Sequence, residues 1–119
     1  YVADAVLVST PTGSTAYNLA ASGPVLEPAM EAMIITPICP HSLNKRSLVV
    51  SSRAKIRIEV GRTKDYYEDV AEVSGDGEQF GTVSTGDIID IQKAQETFDM
   101  VRLGEVSFFD KMRSKLNRD

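Results

Sequence analysis

Hydroxyl side chains are concentrated in residues 9–17, which read Ser-Thr-Pro-Thr-Gly-Ser-Thr-Ala-Tyr. Five of these nine residues are serine or threonine, and Gly13 frees the backbone to turn between them. A helix is predicted to begin just after this stretch, and the free N–H groups of a helix start can bind a polar or anionic ligand. Tyr17 would lie in the first turn, where its ring could stack on a flat ligand. A capped strand-to-helix turn, with Ser14 or Thr15 as the N-cap, fits the same residues equally well.

The elements that must position this stretch follow from apolar patterning and turn residues. Strict alternation over residues 55–60 puts Ile56, Ile58 and Val60 on one buried face of a strand. Glycine-containing turn signals separate the other short apolar runs, which is typical of antiparallel sheets. Residues 37–42 are predicted to be irregular, because two prolines stand three residues apart. Strands are predicted at residues 5–9, 32–36, 47–50, 55–60, 70–74, 87–93 and 98–103.

Helical segments are predicted near both ends of the chain. Residues 16–21 are good helix formers, and a Ser-Gly-Pro sequence that usually stops a helix follows them. Residues 27–31 predict a single helical turn. Near the end, Phe109, Met112 and Leu116 form one apolar stripe at helical spacing, which predicts an amphipathic C-terminal helix.

Composition limits the classes of function. The chain has 119 residues with 13 basic and 17 acidic side chains, a formal net charge of −4. This size suits one compact domain, and 42% hydrophobic residues disfavour disorder. The negative charge disfavours nucleic-acid binding, and no apolar run reaches the roughly 20 residues that span a membrane. The single Cys39 excludes an internal disulfide and suits a reducing compartment, so we expect a cytoplasmic protein.

Two blocks of sequence carry a resemblance to a known family. Residues 4–17, which contain the hydroxyl-rich stretch, resemble the second signature of NAD kinases, and the match continues through residues 23–28. The second block, residues 36–43, reads Thr-Pro-Ile-Cys-Pro-His-Ser-Leu. Together the blocks hold more than twenty matching positions in the correct order, and a looser agreement extends over essentially the whole chain. The intact blocks favour NAD kinases over the lipid kinases of the same superfamily.

The resemblance implies a mainly β, antiparallel, sandwich-like C-terminal domain. A short helix would follow the Thr-Gly-Ser-Thr-Ala-Tyr turn, and a second helix would end the chain. Residues 1–119 would be a single domain, most of the NAD-binding and oligomerising domain of an NAD kinase. The family's N-terminal ATP-binding domain, with its Gly-Gly-Asp-Gly-Thr motif, is absent from this sequence. We therefore expect a piece of a longer protein that is inactive alone.

The resemblance also implies a reaction and its ligands. The full-length enzyme would use ATP, or polyphosphate, to phosphorylate the 2′-hydroxyl of the adenosine ribose of NAD, giving NADP. Mg²⁺ or another divalent metal and ATP are implied for that enzyme, and this chain is expected to bind neither. This domain would bind and orient NAD. The implied NAD-binding residues are Asp4, Thr15, Ala16, Tyr17, Asn18, Ala20, Cys39 and Glu78.

Some of these positions carry further implications or depart from the family pattern. Asp4 matches an aspartate that bonds a nucleotide across the subunit interface, although a turn residue before a strand is a second interpretation. Cys39 is the expected contact from a loop that closes over a second nucleotide from a neighbouring subunit. Ala20 stands where some members have a small polar residue, and Glu78 replaces the Gln of the family's Asp-Gly-Gln. The preceding Asp-Gly pair, on its own, predicts a hairpin turn.

A second hypothesis treats the chain as a catalytically inactive oligomerisation and nucleotide-binding module. The resemblance implies homodimers or homotetramers that share NAD sites between subunits. Exposed sheet edges would favour such self-association. The expected partners are therefore NAD or NADP and further copies of this chain, with no nucleic acid and no membrane.

Overall fold

The elements of the fold are short strands and two helices. The computed structural model of the chain describes residues 1–62, 68–101, 103–104 and 106–117. The strands are β1 Ala5–Ser9, β2 Ala32–Ile38, β3 Leu48–Ser51, β4 Ile56–Glu59, β5 Val70–Gly75, β6 Glu78–Ser84 and β7 Ile88–Ile91. A 3-10 turn, Thr12–Thr15, precedes helix α1, Tyr17–Ala20, and helix α2 is Phe108–Leu116. None of the described helices is both long enough and apolar enough to cross a membrane.

The described strands form three antiparallel sheets, which confirms the mainly β class. The first sheet has the order β1-β2-β3, and the other two are the pairs β4-β7 and β5-β6. In the first sheet, Ile34 of the central strand β2 is fully buried and packs with Leu26 and Ala32. This small cluster forms the core beneath the hydroxyl-rich stretch.

The predicted alternation of β4 matches its burial in the structure. Ile56 is buried, Ile58 and Val60 are partly buried, and the residues between them are exposed. The partner of β4 is β7, which is separated from it by the β5-β6 hairpin, so this pairing depends on contacts far apart in sequence.

Pro37 corrects the prediction that residues 37–42 are irregular. Both Pro37 and Ile38 belong to β2, where Pro37 lies opposite Val6 of β1. The pairing of β2 with β3 reaches only as far as Ile35, so Pro37 has no second strand that would need its missing N–H. A proline is therefore tolerated at this end of a central strand.

Residues 98–103 do not form the predicted strand. Residues 98–101 and 103 have no strand structure, and Arg102 lies outside the described residues. Phe98 is 88% exposed and Leu103 is 98% exposed. A strand requires a hydrogen-bonding partner, and none of the described strands pairs with this segment. Residues 27–31 contain the single turn predicted there, closed by the Met30 N–H donating to the Glu27 carbonyl.

Helix α2 is capped as its sequence allows. The Ser107 side chain accepts a hydrogen bond from the Asp110 N–H, and Lys115 lies in the last turn, where positive charge is favourable. Of the predicted apolar stripe, only Met112 is buried, while Phe109 and Leu116 remain exposed. The helix therefore covers little of the core with its apolar face.

The β5-β6 hairpin confirms the turn predicted at Asp76-Gly77. Gly75 lies opposite Glu78, so the loop has two residues. Both loop residues have positive φ, 49° for Asp76 and 82° for Gly77. An Asp-Gly pair suits a two-residue hairpin because it accommodates this left-handed backbone.

Candidate functional site

The hydroxyl-rich stretch folds into a tight bend between β1 and α1. Ser14 is fully buried in the 3-10 turn, and its Oγ donates to the Pro11 carbonyl over 2.6 Å. The same Oγ accepts a hydrogen bond of 3.0 Å from the Leu26 N–H. The predicted capping role of Ser14 or Thr15 is wrong, because the N-cap of α1 is Ala16 and has no side-chain capping bond. Ser14 instead connects the bend, by its hydrogen bond, to Leu26 in the irregular segment that follows α1.

Asn18 continues this buried polar network from α1 toward β2. Its Nδ2 donates to the carbonyls of Ser14 (3.1 Å) and Pro24 (3.0 Å), and its Oδ1 accepts from Thr36 Oγ1 (2.7 Å). Thr36 Oγ1 is also 2.8 Å from Ser47 Oγ. Gly23 packs so closely on this amide that an added Cβ would overlap it. Within the described part of the chain, no buried polar side-chain atom lacks a partner.

A cavity of about 820 Å³ opens on top of this network. Its lining includes Tyr17 and Ala20 of α1 and the segment from Thr36 through Cys39. Residues 45–47, in the loop between β2 and β3, also line the cavity. Such a volume is in the range of small-molecule and cofactor sites.

The structure brings together three of the predicted NAD-binding residues in the lining of this cavity. Tyr17 is 60% exposed, so its ring is free to contact a ligand, and Ala20 lies one turn further along α1. Cys39 is exposed, lines the same cavity and has the left-handed φ of 49°. Short-range sequence could not show that these segments share a cavity, because eighteen residues lie between Ala20 and Cys39.

The other predicted site residues lie around or below the cavity rather than in its lining. Thr15 and Ala16 directly precede Tyr17, and the Thr15 carbonyl accepts a hydrogen bond of 2.7 Å from Lys115 Nζ of α2. Asn18 is 1% exposed and forms part of the floor through its hydrogen bonds. The other two predicted residues are away from the lining: the exposed Asp4, and Glu78 in the β5-β6 hairpin.

Asp4 has a definite neighbour in the structure. Its Oδ1 lies 3.5 Å from Nε2 of His41, and both side chains are more than half exposed. The backbone holds the two residues together, since the Asp4 N–H donates to the Ile38 carbonyl and the His41 N–H donates to the Val2 carbonyl. His41 is therefore a loop residue whose backbone N–H is hydrogen-bonded and whose side chain lies beside Asp4.

Sequence reasoning missed two residues of the cavity, Lys45 and Arg46. Both are exposed and belong to its lining. The signal was available, since two adjacent cations follow the Pro-His-Ser-Leu block after Asn44. Their relation to a site becomes visible only when the loop folds back over Thr36.

Shifted pKa values in the described residues belong to ion pairs outside the cavity. A hydrogen bond from Lys93, joined by one from Ser52, lowers the pKa of Glu31. The hydrogen bonds between Arg57 and Asp90 lower the pKa of the carboxyl and raise that of the guanidinium. The Arg57–Asp90 pair joins β4 to β7, and the Lys93–Glu31 pair joins two segments outside the strands.

No metal-binding cluster is formed by the residues that the structure describes. Nowhere among them do three His, Cys, Asp or Glu side chains gather closely enough to hold an ion. We therefore assign the described residues no step that passes through a metal or ATP.

The fold and the site together define a mainly antiparallel β domain with a nucleotide-sized cavity beside a hydroxyl-rich strand-to-helix bend. The family model for the ATP-NAD kinase C-terminal domain matches residues 1–103. The chain belongs to this family.

Individual relatives agree with this assignment. The NAD kinase of Lachnoclostridium phytofermentans is 46% identical over 115 residues, which cover 97% of this chain and 40% of that protein. The NAD kinase of Thermoanaerobacter sp. strain X514 is 44% identical over 116 residues, covering 98% of this chain and 40% of that protein. The chain therefore spans about two fifths of the length of these curated relatives.

A solved structure agrees with the fold. The crystal structure of yeast NADH kinase complexed with NADH superposes with a TM-score of 0.73 at 37% identity. The superposition covers 81% of this chain and 27% of the yeast chain.

Proposed function

We propose that this chain is the acceptor-binding domain of an NAD kinase, which transfers the γ-phosphoryl group of ATP to the 2′-hydroxyl of the adenosine ribose of NAD. The observation that carries the proposal is the 820 Å³ cavity, which gathers Tyr17, Ala20 and Cys39 from segments distant in sequence. Family membership and the NADH bound to the yeast relative support a pyridine dinucleotide as the ligand.

The cavity residues bind and orient the dinucleotide. The exposed ring of Tyr17 offers a flat face for a base, and the small side chain of Ala20 leaves room for the ligand beside α1. Thr15 and Ala16 directly precede Tyr17 and set the point where α1 begins. By the family resemblance, Asp4 lies at a nucleotide bound across the subunit interface and Glu78 lies near the bound nucleotide.

Orientation is the main contribution of this domain to catalysis. Phosphoryl transfer depends chiefly on positioning and on electrostatic stabilisation of the transferred group. Asn18 does not need to touch the ligand to contribute, because it holds α1 against β2 and so fixes the direction of Tyr17. ATP and its divalent metal belong to the rest of the enzyme, so this chain alone is expected to be inactive.

Calorimetric titration of the chain with NAD and NADP tests the proposal. We expect both dinucleotides to bind, and Tyr17→Ala to weaken binding roughly tenfold because the stacking face is lost. Phe98→Ala is the matched control, since it removes another exposed aromatic ring that is not part of the cavity lining. A folded chain that binds neither dinucleotide would contradict the proposal.

A second candidate function is assembly, and the edge of the first sheet favours it. Leu48 and Val49 of the edge strand β3 are 53% and 49% exposed. An exposed apolar edge strand is a template for pairing with another chain. On this proposal the chain forms a homodimer or homotetramer whether or not it binds a dinucleotide.

A further inference from the structure

The charges in the cavity differ in sign from the chain as a whole. The chain carries a net charge of −4, yet the cavity is lined by two cationic side chains, Lys45 and Arg46, and by no carboxylate from the described residues. A cavity of one sign with low-dielectric walls attracts ligands of the opposite charge. The ligand group that suits Lys45 and Arg46 is therefore anionic.

Neither cation is neutralised within the described part of the chain. The ion pairs found there are His41 with Asp4, Arg57 with Asp90 and Lys93 with Glu31. Lys45 and Arg46 belong to none of them, and no described residue accepts a hydrogen bond from either side chain. Their donors thus remain free for a ligand.

The backbone under the two cations is held in place. The Tyr1 hydroxyl donates to the Arg46 carbonyl over 2.8 Å, and Lys45 Nζ lies 5.9 Å from the centre of the Tyr1 ring. On the other side, Ser47 Oγ is hydrogen-bonded to the buried Thr36 hydroxyl. A backbone held in this way limits how far the two cations can move apart, which reduces the freedom lost when a ligand binds.

We propose that Lys45 and Arg46 form a subsite for a diphosphate group, while Tyr17 contacts the base in the same cavity. The guanidinium of arginine offers a planar fork for two phosphate oxygens, and the lysine ammonium adds a compact point charge. This proposal deepens the proposed function, on which it rests for the dinucleotide as the source of the diphosphate.

Titration with three probes tests the subsite: NAD, inorganic pyrophosphate and adenosine, which has a base and ribose but no charge. The test variant combines Lys45→Met with Arg46→Gln. The control variant combines Arg53→Gln with Lys55→Met, which removes the same charge from two exposed residues that are not in the cavity lining.

The expected result is a loss confined to the charged probes. Affinity for NAD and pyrophosphate should fall roughly a hundredfold in the test variant, about tenfold for each charge-assisted contact. Adenosine affinity should not change, and the control variant should bind all three probes as the parent chain does. Added salt should weaken pyrophosphate binding to the parent chain more than adenosine binding.

Other outcomes separate the two proposals. If the parent chain binds NAD and the test variant binds it equally well, the subsite is overturned and the dinucleotide function stands. If pyrophosphate binds through Lys45 and Arg46 but NAD binds no more tightly than pyrophosphate, the subsite stands and the proposed function fails. If neither NAD nor pyrophosphate binds to the folded chain, both proposals are overturned.

Discussion

At the residue scale, the cavity floor depends on one threonine hydroxyl. Thr36 Oγ1 donates to Asn18 Oδ1, so its single proton is used there and Ser47 Oγ must donate to it in turn. One side chain of β2 thereby holds both α1 and the loop that carries the cavity cations. Because these groups are buried, leaving one of them unpaired lowers the free energy of unfolding by more than a formed hydrogen bond raises it.

Thr36→Val should lower the free energy of unfolding by about 1–3 kcal/mol, because the buried Oδ1 of Asn18 loses its donor. Urea unfolding followed by circular dichroism measures this change. Thr82→Val provides the comparison, since Thr82 is exposed on β6 and its replacement should alter the free energy by less than about 0.5 kcal/mol. Equal losses in the two variants would show that the Thr36 hydroxyl has no special role.

At the element scale, the sheet β4-β7 is joined by a charged pair across its two strands. Arg57 and Asp90 lie directly opposite each other, with Nε to Oδ1 at 2.8 Å and Nη2 to Oδ2 at 3.1 Å. Both side chains are exposed, so the pair is screened by solvent and its contribution is small. The pair joins two strands that the β5-β6 hairpin separates in sequence.

Asp90→Asn should make the chain less sensitive to acid. Arg57 lowers the pKa of Asp90, so the stabilisation is present above the ordinary pKa of about 4 and is lost as the pH falls through the lowered value. The urea midpoint should therefore drop less between pH of about 6 and about 2.5 in Asp90→Asn than in the parent chain. Glu31 remains in both proteins, so its own acid response cancels from the comparison.

Asp99→Asn is the matched control for that experiment, because Asp99 forms no ion pair with the described residues. Its acid response should follow the parent chain. If Asp90→Asn and the parent chain lose the same stability on acidification, the cross-strand pair does not contribute to folding.

At the scale of the whole molecule, the chain is extended and leaves much apolar surface uncovered. Its radius of gyration is 16.3 Å, whereas a compact domain of this length has about 13–14 Å. Among the residues that the structure describes, the buried core cluster consists of Leu26, Ala32 and Ile34. Because the surface that remains includes an unpaired strand edge, we expect the chain to associate with itself.

Val49→Lys should shift the chain toward the monomer, because a lysine on edge strand β3 opposes pairing with a second edge. Sedimentation velocity at increasing protein concentration measures the mass. Gln95→Lys is the control, since it adds the same charge at an exposed position outside the strands and should leave the association unchanged. A parent chain that stays monomeric at all concentrations would contradict the assembly proposal.

Local sequence was sufficient wherever the structure depends on neighbouring residues. The alternation around Ile56 placed a strand, and the Asp-Gly pair at Asp76 predicted its hairpin. The apolar spacing of Phe109, Met112 and Leu116 predicted the C-terminal helix. These features follow from backbone sterics and from the period of apolar residues, which act over a few positions. The family motif around Tyr17 was visible because its residues are contiguous in the sequence.

Tertiary structure decided the features that depend on partners distant in sequence. Pro37 lies in a strand because it pairs with β1, and the end of β3 pairing at Ile35 makes a proline tolerable there. The segment at Phe98 has no strand structure because none of the described strands pairs with it. Asn18 is buried because Thr36 reaches it from β2. The sequence by itself thus determined the family, the local elements and the position of the hydroxyl-rich bend. Only the fold brought Lys45 and Arg46 into the lining of the same cavity as Tyr17, because local propensity carries no information about contacts between segments distant in sequence.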